Sequence, residues 1–410
     1  MGEEKAVLPS LSYYSKTMGI GGKIKTAPED FVVEEILQDG TALEVNKAVQ
    51  RESSEGDFTW FVLQKREWTT EGAIRRVARA LRSHPKRFSY AGSKDKASIS
   101  TQLASAFRVN KDRLLRLDLK DIKILGAWRC REKVRIGNLL GNRFTVIVRE
   151  VDPDTDSSVR NIYDELNGAF PNYFGEQRFG NVRRNTHMIG EHIVRGRYDL
   201  AATSFLCDCE GETDNDSLTA RMNLARTGDF KKALEEFPQR LSLERTAIEH
   251  LEKHPRDYVN ALRRLPRGIL LLFMHSFQSH LFNALLSERI AEGKLTVENG
   301  EYYCGERNGF PDPESLDSHE KHWIAGKIIG YGTEPNEREK RLFERLELKP
   351  SDFEISGIPE LSSKGTYRLL LSPLKDFLFR NNVFRFSLRA GSYGTVALRE
   401  FLDKEKNRSL

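Results

Sequence analysis

Hydrophobic positions along this chain recur with two periods, and the two periods occupy different stretches. Between residues 24 and 180, short runs rich in β-branched and aromatic side chains predict strands at 31–35, 58–64, 88–91, 101–109, 122–129 and 142–149. The last alternates cleanly, with Phe144, Val146 and Val148 on one side. Helical spacing interrupts this series. Ile74, Val77, Ala78 and Leu81 form one apolar stripe behind an N-cap at Thr70, and Pro85 lies beyond its end. A short helix is expected at 111–117. Another begins at Ser157 or Ser158, buries Val159, Ile162, Tyr163 and Leu166, and closes at Gly168 and Pro171. Residues 20–180 therefore read as an α/β unit dominated by antiparallel strands; residues 1–20 read as irregular.

From residue 181 the period changes to that of helices, expected at 187–207, 216–227, 229–237, 242–254 and 268–292. The last is apolar nearly all round at its start, the pattern of a buried central helix. Residues 294–363 are mixed and loop-rich. Strand character returns at 367–371 and in a hairpin at 377–386 that turns on Asn381-Asn382, two residues that tolerate positive φ. Residues 387–390, the Gly391-Ser392-Tyr393-Gly394-Thr395 step and a helix at 396–402 follow. So few elements do not make a domain. The simplest arrangement lets these strands complete the first sheet. The expected fold class is α+β: a mainly antiparallel mixed sheet, in two parts at 1–183 and 364–410, with a largely helical insertion at 184–363.

The length of 410 residues fits two or three domains, and 39% hydrophobic with 30% charged residues is a globular balance. The longest apolar run, near 268–274, is too short to span a bilayer. Met-Gly-Glu-Glu-Lys lacks the apolar segment of a secretory signal, and no Ser or Thr at position 6 supports acylation of Gly2. Cys130, Cys207, Cys209 and Cys304 lack zinc-like spacing and read as reduced thiols of a cytoplasmic protein. His319 and His322 sit in a polar loop without an evident third ligand, so no metal is expected. No apolar repeat or heptad face is left over, which fits a monomer.

The net charge of +5 is unremarkable; its distribution is not. Between 126 and 149, Arg129, Arg131, Lys133, Arg135, Arg143 and Arg149 face one acid, Glu132. Arg75, Arg76, Arg79 and Arg82 fall on one face of the predicted helix. The first third of the chain thus carries a basic surface, as a nucleic-acid binder does, although a solvated helix face gives the same pattern.

Residues 90–102 carry one acid, Asp95, between Lys94 and Lys96, on a turn that Gly92 and Ser93 break out of a strand. A carboxylate so placed suits a nucleophile or general base; a solvated turn is the blander reading. Phosphate-binding and dinucleotide motifs fail: the glycine spacing at 137–141 is one short of a P-loop, and Gly19-Ile20-Gly21-Gly22 lacks a preceding strand. No cofactor is expected. Pro171-Asn172-Tyr173-Phe174-Gly175-Glu176-Gln177-Arg178-Phe179-Gly180 sets aromatics beside an amide and an arginine, groups that stack on splayed bases and read their edges. A core-plugging loop would look similar. Tyr393 offers the same chemistry.

Four segments together resemble the tRNA pseudouridine synthase D (TruD) family: Thr26–Phe31, Ala91–Gln102, Asn172–Gly180 and Gly391–Thr395. Phe277–Asn283 resembles the family's helix in its inserted domain. The likeness spans nearly the whole chain, and Asn-Tyr-Phe-Gly-x-Gln-Arg-Phe-Gly is its most specific part. The resemblance implies a pseudouridine synthase domain interrupted by an insertion, acting on tRNA at uridine 13 without a cofactor. It implies Asp95 as nucleophile, Lys25 as its basic partner, Phe174 stacked on the target base, and Phe31, Asn172 and Tyr393 in contact with substrate. Ser98, Ser100 and Gly394 depart from the more usual Ala, Thr and Ala. With Lys25 as partner, Lys94 and Lys96 are left to face the RNA backbone. A non-catalytic RNA-binding protein on the same scaffold is the alternative; an RNA methyltransferase is disfavoured by the missing glycine-rich loop.

Overall fold

The computed structural model describes residues 11–152, 155–180, 182–315 and 322–403, so the readings made for residues 1–10 and for His319 lie outside the described residues. The chain divides into two compact units. One, the sheet unit, holds residues 14–172, 305–315 and 371–403; the other, the helical unit, holds 11–13, 173–304 and 322–370.

The first stretch of the sheet unit contains β1 (Phe31–Ile36), β2 (Phe58–Arg66), α1 (Thr70–Ala80), β3 (Phe88–Tyr90), β4 (Ile99–Phe107), α2 (Lys111–Leu115), β5 (Ile122–Cys130), β6 (Gly141–Ile147), α3 (Thr155–Leu166) and β7 (Ala169–Pro171). The helical unit follows with α4 (Thr186–Val194), α5 (Tyr198–Cys207), α6 (Asn215–Thr227), α7 (Phe230–Glu236), α8 (Ser242–Lys253), α9 (Tyr258–Arg263), α10 (Arg267–Ala291) and β8 (Tyr302–Cys304). A small hairpin, β9 (Glu306–Arg307) and β10 (Phe310–Pro311), belongs to the sheet unit. The helical unit then resumes with β11 (Trp323–Ile328), α11 (Glu337–Leu346) and β12 (Thr366–Leu369). The sheet unit closes with β13 (Leu371–Pro373), β14 (Lys375–Arg380), β15 (Val383–Arg389) and α12 (Gly394–Leu402).

The main sheet runs β14-β15-β6-β1-β4-β2-β5, with β3 added on β4. It is antiparallel except for β1 and β4, where Val32 lies opposite Ile99 in parallel register. The return of residues 383–389 to pair with β6 is the sheet completion that the pattern predicts. Asn381 and Asn382 turn the β14–β15 hairpin with φ of 51° and 60°, the left-handed pair that a tight two-residue hairpin requires. One face of β2 and β4 packs on α1, where Phe61, Leu63, Ile74, Val77, Ala78 and Leu81 form one core; Val62, Leu103, Trp128 and Val134 form another.

Three boundaries differ from the sequence reading, each for a local reason. The cap of α1 is Thr69, whose side chain accepts from Gly72 N–H, which frees the Thr70 hydroxyl for another task. The helix expected at 187–207 is two helices, α4 and α5, parted at Gly196 in a left-handed conformation (φ 68°). The strand expected at 367–371 is split: β12 pairs with β11, whereas β13 pairs with β7.

The helical unit is built around α10, which packs on α4 over a core that includes Ile189, Phe205, Phe273, Met274 and Phe277. By length and composition α10 as a whole could cross a bilayer, unlike the short apolar run at its start. Most of its apolar stretch is instead covered by its own protein, as in the core helix of a globular domain.

Candidate active site

Asp95 lies on an irregular loop between β3 and β4, and such a loop has no ladder to satisfy its backbone groups. Side chains from α1, β4 and β2, with the loop's own Ser98, do so, and Glu35 on β1 holds the Lys94 side chain. Thr70 on α1 accepts from Lys94 N–H at 2.9 Å and donates to Gln102 Oε1. Gln102 on β4 donates its amide to the Gly92 carbonyl at 3.0 Å. Glu35 on β1 accepts from Leu103 N–H and pairs with Lys94 Nζ at 2.9 Å. Lys65 on β2 donates from Nζ to the Asp95 carbonyl at 2.6 Å, and Ser98 Oγ donates to the same oxygen at 2.8 Å. The Lys94–Glu35 pair is almost wholly buried. Lys94 is therefore a brace inside the protein and does not face RNA; Lys96 is exposed.

The Asp95 carboxylate meets Lys25 Nζ at 2.6 Å, with the two side chains 28% and 21% exposed. A partly exposed carboxylate that is held by its main chain and flanked by a lysine can act as nucleophile or base. Lys65 has no exposed surface. Burial pulls its ammonium down to about 8, against the attraction of Asp95 and with help from the repulsion of Lys94.

Lys25 reaches Asp95 from a strained turn. Its φ is 60°, a left-handed conformation that costs a non-glycine residue roughly 1–3 kcal/mol. The turn is over-determined by its surroundings. Lys23 and Arg149 exchange backbone hydrogen bonds at 2.7 and 2.9 Å. Asp30 caps Ala27 N–H at 2.9 Å and takes a two-pronged grip from Arg149. That guanidinium holds the Asp30 carboxyl below its ordinary range. Glu29 pairs with Arg66 at 2.8 Å. Phe31 is buried, with Lys25 Nζ 4.3 Å from its ring centre, so it reaches the site through Lys25. The edge of the Phe31–Phe144 pair continues the support, with centroids 6.0 Å apart. A Cβ on Gly394 would lie 2.8 Å from that Phe144 ring. This close approach accounts for a glycine where alanine is more usual. Ser98, the other informative departure, supplies a donor to Asp95 that alanine lacks.

Asn172 is buried at the end of the sheet unit's first stretch, and Tyr393 is half-buried at the start of α12. Phe174 belongs to the helical unit. There the Asn283 side chain on α10 clasps its backbone twice: Oδ1 accepts from Phe174 N–H at 2.8 Å and Nδ2 donates to Phe174 C=O at 2.9 Å. Phe282 meets the ring edge-on, and the Arg368 guanidinium on β12 sits 4.0 Å from the ring centre. Arg178 approaches the same ring at 5.5 Å and bonds Ser279 at 3.2 Å.

Lys25, Asp95 and Phe31 are thus brought together in the sheet unit. Glu35, Lys65, Gln102, Asn283 and Arg368 complete the two loops and were not anticipated. A signal existed for two of them. Lys65 shares strand parity with Phe61 and Leu63, and Glu35 with Phe31 and Val33, so both are charges at inward positions.

Known proteins resemble this chain over nearly its whole length. The family described as "tRNA pseudouridine synthase D (TruD)" matches residues 9–401. A protein of Methanosarcina acetivorans called "Probable tRNA pseudouridine synthase D" is 32% identical, covering 95% of this chain and 94% of the relative. One of Methanopyrus kandleri with the same name is 38% identical over 85% of this chain and 86% of its own. A crystal structure described as the putative tRNA pseudouridine synthase D of Methanosarcina mazei superposes with a TM-score of 0.75 at 32% identity, covering 98% of both chains. The chain belongs to the tRNA pseudouridine synthase D (TruD) family.

Proposed function

We propose that this protein isomerises uridine to pseudouridine in tRNA, at position 13, with Asp95 as the attacking group. The observation that carries the reading is the 2.6 Å Lys25–Asp95 contact on a loop whose backbone is fixed by buried side chains. The reaction breaks the C1′–N1 bond and joins C1′ to C5; C5 loses its proton and N1 gains one. It needs no redox partner and no donated group, so no cofactor enters. Attack at C1′, attack at C6 and assisted elimination at the ribose all ask the same of the protein: a carboxylate in fixed position beside a cation. The base must leave its stack to reach Asp95. Phe174 is the aromatic surface assigned to hold it, with Asn172 and Tyr393 in contact with the nucleotide. Phe31 acts by orienting Lys25.

In this reading the sheet unit is the catalytic domain and the helical unit is the insertion, in a monomeric cytoplasmic enzyme. The test is incubation of purified protein with unmodified tRNA, without additives, followed by chemical mapping of pseudouridine. Conversion at position 13 by the wild type and none by Asp95→Asn is the expected result. Tight tRNA binding without conversion by the wild type would favour the non-catalytic alternative.

A further inference from the structure

The basic stretch between 126 and 149 separates into two populations. Arg143 is paired with Glu34 at 2.7 Å and Arg149 with Asp30, and Arg129 bonds the Gly56 carbonyl. These three are braces. Arg131, Lys133 and Arg135 are exposed on the loop between β5 and β6. Arg131 and Lys133 have no ion pair among the described residues, and Arg135 approaches Glu132 only at 3.9 Å.

At the tip of this loop is a tight turn. Asn138 N–H donates to the Arg135 carbonyl at 3.0 Å, and Gly137 takes a φ of 87°, as the third residue of a type II turn does. Ile136 occupies the corner. Such corners favour proline and polar residues, yet this aliphatic side chain is 88% exposed. A single exposed aliphatic residue is ordinary. One at a turn corner, between cations, on a rigid mount is less so. The mount is specific. Val134 is buried and its N–H donates to Ser105 Oγ at 2.9 Å; Trp60 Nε1 donates to the Glu132 carbonyl; Gly137 N–H donates to the Ala91 carbonyl at 2.9 Å. Ala91 is four residues before Asp95, at most about 14 Å of chain. Stacked nucleotides repeat at about 3.4 Å, so the tip stands within a few nucleotides' reach of the candidate nucleophile.

We infer that Ile136 is a wedge that enters the base stack of the RNA substrate beside the target uridine, with Arg131, Lys133 and Arg135 holding the flanking phosphates. An apolar side chain pushed between bases offsets part of the cost of unstacking them. The cations supply the phosphate contacts that set the register. This rests on the pseudouridine synthase reading and adds to it the group that displaces the base.

The test uses the full chain and unmodified tRNA carrying 2-aminopurine at either neighbour of the target uridine. Mixing with wild type or Asp95→Asn is expected to raise the fluorescence as the stack opens. Ile136→Ala is expected to fold with an unchanged melting midpoint, to give little of that rise, and to convert uridine about tenfold more slowly. Lys133→Ala with Arg135→Ala is expected to weaken binding and lower the salt slope by about two. An Ile136→Ala protein with the wild-type rate, or with the wild-type fluorescence rise, overturns the wedge. A wild type inactive on the same tRNA strikes instead at the proposed reaction.

Discussion

The loops that carry Asp95 and Phe174 are both irregular, yet they are held by different chemistry. The Asp95 loop is gripped by charged and polar side chains from β1, β2, α1 and β4, with a lysine on its carbonyl and another on its carboxylate. At Phe174 itself the backbone is clasped by a neutral amide, Asn283, while Arg368 bonds the neighbouring Tyr173 carbonyl and covers the ring. A reacting charge needs its atoms fixed and its partner charge in contact, which a network of ions supplies. The Phe174 backbone is fixed by a neutral amide clasp instead, and its ring is buried with the Arg368 guanidinium on its face. The contrast teaches that these two loops are specified separately and can be broken separately.

The largest expected effect is at the charge itself. Asp95→Asn should lower turnover by about 10³-fold or more with tRNA binding kept, as read by conversion and by filter binding. Residual turnover near wild type would remove Asp95 from its role. Lys25→Met should lower turnover by about 10²-fold and change Kd less; equal losses in both would make Lys25 a binding group. Asn283→Ala removes two hydrogen bonds from the Phe174 backbone, at a cost of about 1–3 kcal/mol. It should slow conversion while leaving the Asp95 loop intact, and a matching loss in Asn283→Asp would point to the NH₂ donor.

Lys65→Met tests the ionic side more gently, through pH. The folded ammonium titrates near 8, below the ordinary lysine value of about 10.4. Between these values the unfolded chain binds more protons, so the stability linked to Lys65 rises with pH across that window and its full penalty is present below about 8. Wild-type turnover should therefore lose a component as pH rises through about 8, when the charge under Asp95 is discharged. Lys65→Met should be slower at pH 7 and lack that limb; an identical profile would exclude Lys65 from setting it. Smallest is Ser98→Ala, which removes one donor from the Asp95 carbonyl and keeps Lys65 there, and should cost a few-fold, about 1 kcal/mol.

Much of the sheet unit was legible because its strands alternate and its helices carry single apolar stripes. Phe144, Val146 and Val148 are all buried, as the alternation requires. Thr70 shows where local reading stops. Both Thr69 and Thr70 can cap a helix, and only the position of Lys94 N–H decides which is spent on the loop. Lys94 shows the same limit from the other side. Adjacent to Asp95 and flanked by polar residues, it reads as a surface cation, yet Glu35 draws it inward from β1. Asp95 and Phe174 stood out because their residue types are chemically suggestive; Asn283 and Lys65 did not, because their importance lies in partners far along the chain.

The pairing of β15 with β6 also governs how this protein can be made. Val383 lies opposite Ile147, and Glu400 accepts from the backbone of Tyr14 and Ser15 while residues 19–21 bond to 401–403. A chain emerging from the ribosome must expose the apolar edge of β6 while the entire helical unit is synthesised, and only then receive the strand that covers it. Long-range closure of this kind is slow, and open edges invite aggregation. Helix α10 and its neighbours, whose contacts are more local, can fold in the interval. The rate of maturation should therefore depend on the translation speed of residues 148–382.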